Sequence, residues 1–356
     1  MEFVTNEEII QRARQNLADG PWSYLVGGSE SETTMRRNRL AFDTVAFRPR
    51  VLVDVSTVDT STQILGNKID LPVLLAPIGS LQVFHNDGAI NSAKAAEAMN
   101  TVHVVSSVTQ PNLEETNESS QANKFFQLYI HGDWDWIKTM IDRAVKSGYK
   151  ALCITTDTAS YSRRERPMLS RWVTISRRTP PNPFWQASVT WETIKKIKEY
   201  CKLPIILKGI ATPEDAILAV EHQVDCIWVS NHGGRQLDHG LGTLDMLPDI
   251  YNAVNNQAQI VLDGGIQRGT DVVKALALGA DAVAIGRLQG WGMAANGHEG
   301  VITVLQILQQ EIEIALKLLG ATSLDQLNPK LVCPAASTTP PHEMSSWVNM
   351  PQNRIK

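Results

Sequence analysis

Cysteine is scarce in this chain of 356 residues: the four present, Cys153, Cys201, Cys226 and Cys333, are scattered and form no C-x-x-C pair. Two of them sit in apolar, strand-like runs, which suits reduced core thiols and speaks against a disulfide scaffold or a zinc ribbon. A reducing, cytoplasmic location and no bound metal are the expectations. Long apolar runs are missing too. No stretch approaches the ~20 residues needed to span a bilayer, and no basic segment followed by an apolar one opens the chain, so neither a membrane anchor nor a secretory leader is expected. Charge of one sign is also lacking, because 33 basic residues face 37 acidic ones for a formal net charge of -4. That balance gives no reason to expect a nucleic acid or an anionic membrane as partner, and it favours small-molecule chemistry. Finally, no G-x-G-x-x-G turn follows the first apolar run, which makes a doubly wound open sheet the second choice of fold.

What is present is a repeated alternation. Short apolar runs occur at Leu71–Pro77, Thr101–Ser107, Phe125–Ile130, Ala151–Asp157, Pro204–Gly209, Cys226–Asn231, Ile260–Gly265 and Ala282–Arg287, with helix-compatible segments between them. Eight strand–helix units predict an α/β chain folded as a closed (β/α)8 TIM barrel. Thr5 followed by Glu8 reads as a capping box that opens a helix through about Leu17, the start of an N-terminal helical segment. From Pro334 onward the chain is rich in Pro and Ser with little apolar periodicity, so residues 1–333 are expected to form one domain and residues 334–356 an extended or disordered C-terminal tail.

The densest chemistry lies in Cys226–Asp238, reading CIWVSNHGGRQLD. A buried strand is expected to end at Ser230 and Asn231, and Gly233 and Gly234 let the chain turn tightly so that His232 and Arg235 face one space. Histidine exchanges a proton near neutral pH and arginine offers a rigid fork to a carboxylate, so the pair suits base chemistry on a small organic acid. Taken alone, the stretch is equally compatible with a structural loop carrying a surface histidine. The other strand ends are polar as well: Gln127 and Tyr129, Thr155 and Asp157, Lys208, then Asp263-Gly264-Gly265 and Gly286-Arg287. Glycine turns with an arginine after the last two strands of such a barrel form its usual phosphate site, which implies a phosphorylated cofactor.

The motifs SNHGGRQLD, WSYLVGG, NRLAFDTVAFRPRVLVDVS and APIGS resemble those of the FMN-dependent 2-hydroxy-acid oxidoreductases, the family of glycolate oxidase, lactate oxidase, lactate monooxygenase and mandelate dehydrogenase, over about residues 6–327. The resemblance implies FMN as cofactor. It places Pro77, Ile78 and Gly79 along the flavin, Ser106, Gln127, Thr155 and Ser230 as its hydrogen-bond partners, and Lys208 beside the ring edge that becomes negative on reduction. Asp263, Gly264, Gly265, Gly286 and Arg287 would hold the FMN phosphate. By the same resemblance His232 is the base and Asp157 its orienting partner, Arg164 and Arg235 clamp the carboxylate, Tyr129 binds the substrate hydroxyl or carboxylate, and Tyr24 closes the pocket. A homo-oligomer, a tetramer by the same resemblance, is also implied.

Departures from the family pattern shape the expectations further. Where relatives have arginine in the DGG motif this chain has Gln267, followed by Arg268, so one charge on the phosphate is either lost or supplied by the next residue. The segment from Glu165 to about Val189 is short for the family's lid and contains no long apolar insertion. Val108 stands where relatives acting on glycolate carry tryptophan, which opens room for a bulky aliphatic or aromatic substituent, with Tyr161, Phe184 and Trp185 available as aromatic walls. Gly79 occupies a position where oxidases carry alanine. The sequence therefore predicts an (S)-2-hydroxy-acid oxidase using oxygen. It leaves open a dehydrogenase that uses a quinone or another carrier, a decarboxylating 2-monooxygenase and, in a different class, a non-catalytic flavin- or phosphate-binding barrel.

Overall fold

The computed structural model of the protein describes residues 3–337. Eight parallel strands close into a barrel in chain order: Val73–Leu75, Val102–Ser106, Asn123–Leu128, Leu152–Thr155, Ile205–Ile210, Cys226–Val229, Gln259–Asp263 and Ala282–Ile285. The ring is closed where Val283, Ala284 and Ile285 of the eighth strand register with Val73, Leu74 and Leu75 of the first. All eight expected runs supply a strand, and the (β/α)8 TIM barrel is the fold.

Side chains of a strand alternate between its two faces, and that period of two sets both the core and the site. Outward residues such as Phe126, Ile154, Leu207 and Val229 pack against the surrounding helices. Inward ones, including Val104, Phe125, Cys153, Ile206, Trp228 and Val261, fill the barrel with a separate dry cluster. Carrying the inward parity two residues further toward the carboxyl ends reaches Ser106, Gln127, Thr155, Lys208, Ser230 and Asp263, all buried. An apolar plug is thus capped by a polar layer, and the polar layer faces the mouth where the connecting loops meet.

Three helices, Asn6–Asn16, Asp19–Val26 and Thr33–Asp43, precede the barrel. The Thr5 hydroxyl caps the first by accepting from the Glu8 amide at 3.2 Å. The Glu8 carboxylate reaches back to the Val4 amide at 2.8 Å rather than to that of Thr5, so only half of the expected capping box forms. The lid segment contains three short helices, Glu165–Leu169, Ile175–Arg178 and Pro183–Ala187. After the eighth strand a helix runs over Arg287–Leu319, broken at Asn296 and Gly297. Near the chain end Val332–Pro334 pairs antiparallel with Val45–Phe47, so the boundary expected after residue 333 falls inside a strand. Most of the expected tail, residues 338–356, lies outside the described residues. All four cysteines are unbridged. Among the described residues no helix is long and apolar enough to cross a membrane, and no cluster of His, Cys, Asp or Glu has the arrangement of a metal site.

Candidate active site

The loop after the sixth strand is held in an unusual backbone conformation: His232, Gly233 and Gly234 have φ of 60°, 66° and 72°, three left-handed residues in succession. Neither glycine is replaceable without movement. A Cβ on Gly234 would stand 2.6 Å from the Met35 backbone, and one on Gly233 would stand 2.9 Å from an Arg287 nitrogen. The non-glycine member, His232, carries a backbone cost that its surroundings must offset. They do so with a hydrogen bond from its amide to the Ser230 hydroxyl at 3.0 Å and an imidazole Nδ1 to Asp157 Oδ1 contact at 3.0 Å. Beyond the turn, the Asp238 carboxylate accepts from the Thr34 amide at 2.8 Å and the Ser31 hydroxyl at 2.7 Å, fixing the loop to the start of the Thr33–Asp43 helix.

Asp157 approaches this turn because the fifth strand gives way to it. Gly209 has φ of 113° at a register shift, and a Cβ there would lie 2.7 Å from the Asp157 Cβ. Burial pushes the Asp157 carboxyl up, but the charge and hydrogen bond of His232, aided by Lys208, outweigh it and hold the group below the usual carboxylate range. Burial likewise drives the His232 imidazole down, and Asp157 only partly restores it, so its pKa lies below 6.5. The pair is therefore carboxylate and neutral imidazole at pH 7. With Nδ1 committed to Asp157, Nε2 is the nitrogen left to accept a proton.

Lys208 is buried among Asp263 at 3.1 Å and the Ser230 hydroxyl at 2.8 Å. Burial alone would neutralise this lysine, but the carboxylates of Asp263 and Asp157 reverse the effect and keep it charged. On the opposite side of the polar layer Ser106 donates to Gln127 at 2.8 Å, and Gln127 donates to the Thr155 hydroxyl at 2.9 Å. Arg235 is held by the Tyr24 and Gly27 carbonyls, both at 2.8 Å. Arg164 donates to the Arg235 carbonyl at 3.1 Å and to Gln236 at 3.1 Å, which ties the two arginines together. Gln236 in turn donates to the Asp157 carbonyl at 2.7 Å. The Tyr24 hydroxyl donates to the Gly79 carbonyl at 2.9 Å. Tyr129, half-buried and near Asp157, has its phenol pushed up to about 12 by desolvation and that charge, and stays protonated.

Tyr24, Tyr129, Arg164, Lys208, His232, Arg235 and Asp263 line one cavity of about 290 Å³, together with Pro77, Ile78, Gly79, Val108 and Tyr161. At one end Gly264, Gly265, Gln267, Gly286 and Arg287 form a cradle. Gly264 and Gly265 have φ of 106° and 90°, and a Cβ on either would press on Thr243 or Asn38. The guanidinium of Arg287 donates to the Gly233 carbonyl at 2.8 Å and the Gly27 carbonyl at 3.0 Å, and its buried Nε has no partner. Burial and then the nearby charge of Arg235 bring Arg287 down to about 9; burial and Arg164 bring Arg235 down to about 10. Cations crowded this closely call for bound anions.

Most of the expected site residues meet here. Ser106, Gln127, Thr155, Ser230 and Asp157 stand just behind the lining and orient it. Arg268 is elsewhere: its guanidinium pairs with Glu311 at 2.5 Å and does not line the cavity, whereas Gln267 does. Phe184 and Trp185 are not in the wall either; they pack edge-to-face on each other with ring centroids 5.3 Å apart. Sequence reasoning did not single out Asn38, Arg39, Phe84, His131, Arg177 or Trp291, all of which line the cavity. Arg39 and Asn38 lie inside the quoted NRLAFDTVAF stretch, the one signal that points to them.

Residues 13–334 match the model of the FMN-dependent dehydrogenase family. The chain belongs to that family. It is 38% identical to an L-lactate oxidase from a Nostoc species, covering 90% of this chain and 95% of the relative. It is 39% identical to a peroxisomal (S)-2-hydroxyacid oxidase from Arabidopsis thaliana, covering 92% and 95%. Among solved structures, the flavin-binding domain of baker's yeast flavocytochrome b2 superposes with a TM-score of 0.89 at 31% identity, covering 93% of this chain and 86% of that one. Mandelate oxidase with (S)-2-phenylpropionate superposes with a TM-score of 0.86 at 33% identity, covering 94% and 99%. The protein is thus an FMN-dependent oxidoreductase of the 2-hydroxy-acid oxidase and dehydrogenase family. Its residues fit that cofactor: the glycine cradle admits a close approach, and the unpartnered Nε of Arg287 offers charge and a donor to a phosphate.

From this geometry Arg287→Met is expected to weaken FMN binding about tenfold or more, since a hydrogen bond to a charged group is worth roughly 1.5–3 kcal/mol. Arg268→Ala should leave FMN affinity within about twofold of the parent, its partner being Glu311. Fluorescence titration of apoprotein with FMN measures both, and equal losses in the two variants would move the phosphate site to Arg268.

Proposed function

We propose that this enzyme oxidises (S)-2-hydroxy acids with bulky side chains to 2-oxo acids and passes the electrons to oxygen. The observation that carries the reading is the neutral His232 held on Asp157 beside the coupled arginines Arg164 and Arg235. A binding barrel has no use for a buried base with its own carboxylate, which argues against a non-catalytic role. In this reading Arg164 and Arg235 take the carboxylate, and Tyr129, kept protonated, donates to the substrate oxygens. Nε2 of His232 receives a substrate proton, and Asp157 stabilises the imidazolium that results. Lys208, kept charged by Asp263, offsets negative charge that develops beside it. Bound FMN supplies the one capacity that no side chain here has, acceptance of two electrons.

Val108 lines the cavity, and its small side chain supports a substituent larger than the hydrogen of glycolate. The relatives named as oxidases support oxygen as acceptor. A second reading, a dehydrogenase serving a quinone or other carrier, or a decarboxylating 2-monooxygenase, is favoured by Gly79 alone. Buried free thiols at Cys153, Cys201 and Cys226 support a reducing, cytoplasmic location, and the homo-oligomeric state is carried over from the family resemblance.

Anaerobic mixing of the yellow protein with a series of (S)-2-hydroxy acids tests the reading. Mandelate and 2-hydroxyoctanoate should bleach the flavin faster than glycolate, and admission of air should restore the colour with one peroxide per turnover. Persistent colour with every acid would sink it.

His232→Gln is expected to keep FMN and to slow flavin reduction by about 10²–10⁴ or more. Because the neutral imidazole is the base and its pKa is depressed below 6.5, reduction in the parent should fall only as pH drops below that value. Asp157→Asn removes the charge that raises the imidazole, so the acid limb should move to still lower pH while the plateau drops. Stopped-flow reduction from pH 4.5 to 8 reads both effects, and an acid limb above pH 7 would contradict a neutral base.

Gly79 is not in the left-handed region, so its backbone does not require glycine. A Cβ there would stand 2.9 Å from Cγ2 of Val108. Gly79→Ala should therefore slow reduction by large substrates while speeding reoxidation by oxygen. If reoxidation is unchanged with an intact flavin spectrum, Gly79 has no part in the choice of acceptor.

A further inference from the structure

One cation in the cavity is left over once the others are matched. Lys208 faces Asp263, Arg39 is paired with Asp271 at 2.7 Å, Arg287 belongs to the phosphate cradle, and Arg164 and Arg235 are the carboxylate clamp of the proposed reaction. Arg177, on the short lid helix Ile175–Arg178, also lines the cavity. Its guanidinium carbon lies 3.4 Å from the centre of the Tyr161 ring, and that of Arg164 lies 4.3 Å from the same centre. Two guanidinium groups therefore lie against one tyrosine. No carboxylate of the described residues is within ion-pair distance of Arg177, and its side-chain nitrogens make no hydrogen bond to them. Burial lowers its pKa, Tyr161 opposes this, and Arg164 lowers it again. The groups facing it are Tyr161, Arg164, Tyr129, Tyr24 and the half-buried His131, none of them acidic. Ser176 and Thr174 extend the same polar wall.

A half-buried arginine with no counter-charge among the described residues keeps its charge and donors available to an anionic ligand. We propose that Arg177 binds a second anionic group at the far end of the substrate, so that the preferred substrates are 2-hydroxy dicarboxylates. The inference rests on the reading above, in which Arg164 and Arg235 hold the carboxylate next to the reacting carbon. The second carboxylate would then lie across the Tyr161 ring from the first. Two methylenes beyond the reacting carbon place the two carboxyl carbons roughly 5 Å apart when extended, on the scale of that ring. The room opened by Val108 accommodates the intervening chain.

The test compares (S)-2-hydroxyglutarate with its neutral near-isostere (S)-2-hydroxy-5-methylhexanoate, in which two methyl groups replace the two distal oxygens. Flavin reduction is followed anaerobically in the FMN-loaded parent, Arg177→Gln and Arg177→Lys. The parent should show a second-order reduction constant at least tenfold higher for the dicarboxylate. Arg177→Gln should lose about 10- to 100-fold on that acid alone, as expected for a charge-assisted contact, while the neutral acid changes less than twofold. Arg177→Lys should recover part of the loss. Preference of the parent for the neutral acid, or equal losses on both acids in Arg177→Gln, would overturn the proposal and make Arg177 a support for Tyr161. Absence of bleaching with any 2-hydroxy acid would instead overturn the reaction on which the proposal stands, and the proposal with it.

Discussion

The left-handed run at His232, Gly233 and Gly234 is the constraint on which the rest of the site depends. Within three residues it reverses the chain, so that His232 turns back to Asp157 while Arg235 projects toward Tyr24 and Gly27. The reversal also brings the Gly233 carbonyl to Arg287 and the Gly234 carbonyl to the Ser29 amide at 2.9 Å. A Cβ at Gly233 would intrude on Arg287, and one at Gly234 on the Met35 backbone. The apolar barrel below makes the arrangement affordable, because a rigid plug containing Trp228 fixes the strand ends from which the loop departs.

Charge is distributed over this frame in a regular way. Asp263 in the polar layer is answered by a cation, Lys208, and Asp157 by the neutral imidazole that would receive a proton. Arg235 and Arg287 are the unbalanced part. They are held in place by backbone carbonyls, which orient a guanidinium without neutralising it, so their charge remains available to ligands. In the function proposed above, that charge is taken up by anions at both ends of the site, a phosphate at one and a carboxylate at the other.

The barrel and its polar rim were legible in the sequence because strand parity is a local rule: once Phe125 points inward, so does Gln127, and Cys153 carries Thr155 with it. The glycine turns were legible for the same reason. Arg39, Asn38, Arg177 and Trp291 were harder to read because their positions are set by how distant helices dock. Asn38, for example, exchanges amide hydrogen bonds with Asn231 at 2.9 and 2.7 Å across nearly two hundred residues of chain. Arg268 illustrates the converse. Its place beside Gln267 suggested a role in phosphate binding, but Arg268 is the cap residue of the Gly269–Ala277 helix and its side chain turns to Glu311, whereas Gln267 faces the cavity. Adjacent residues at a turn do not share a direction.

The docking of the Thr33–Asp43 helix also bears on how the protein matures. Its amino end is bound by Asp238, its middle by Asn231 and its Arg39 by Asp271, so segments made early are completed only by segments made late. Contacts of such sequence separation form slowly, after much chain entropy has been lost. During synthesis the first two hundred residues can collapse locally, yet the cradle needs Arg287 before it exists. The cradle is therefore among the last parts of the site to be completed, since Gly286 and Arg287 take their places only when the eighth strand closes the ring on the first.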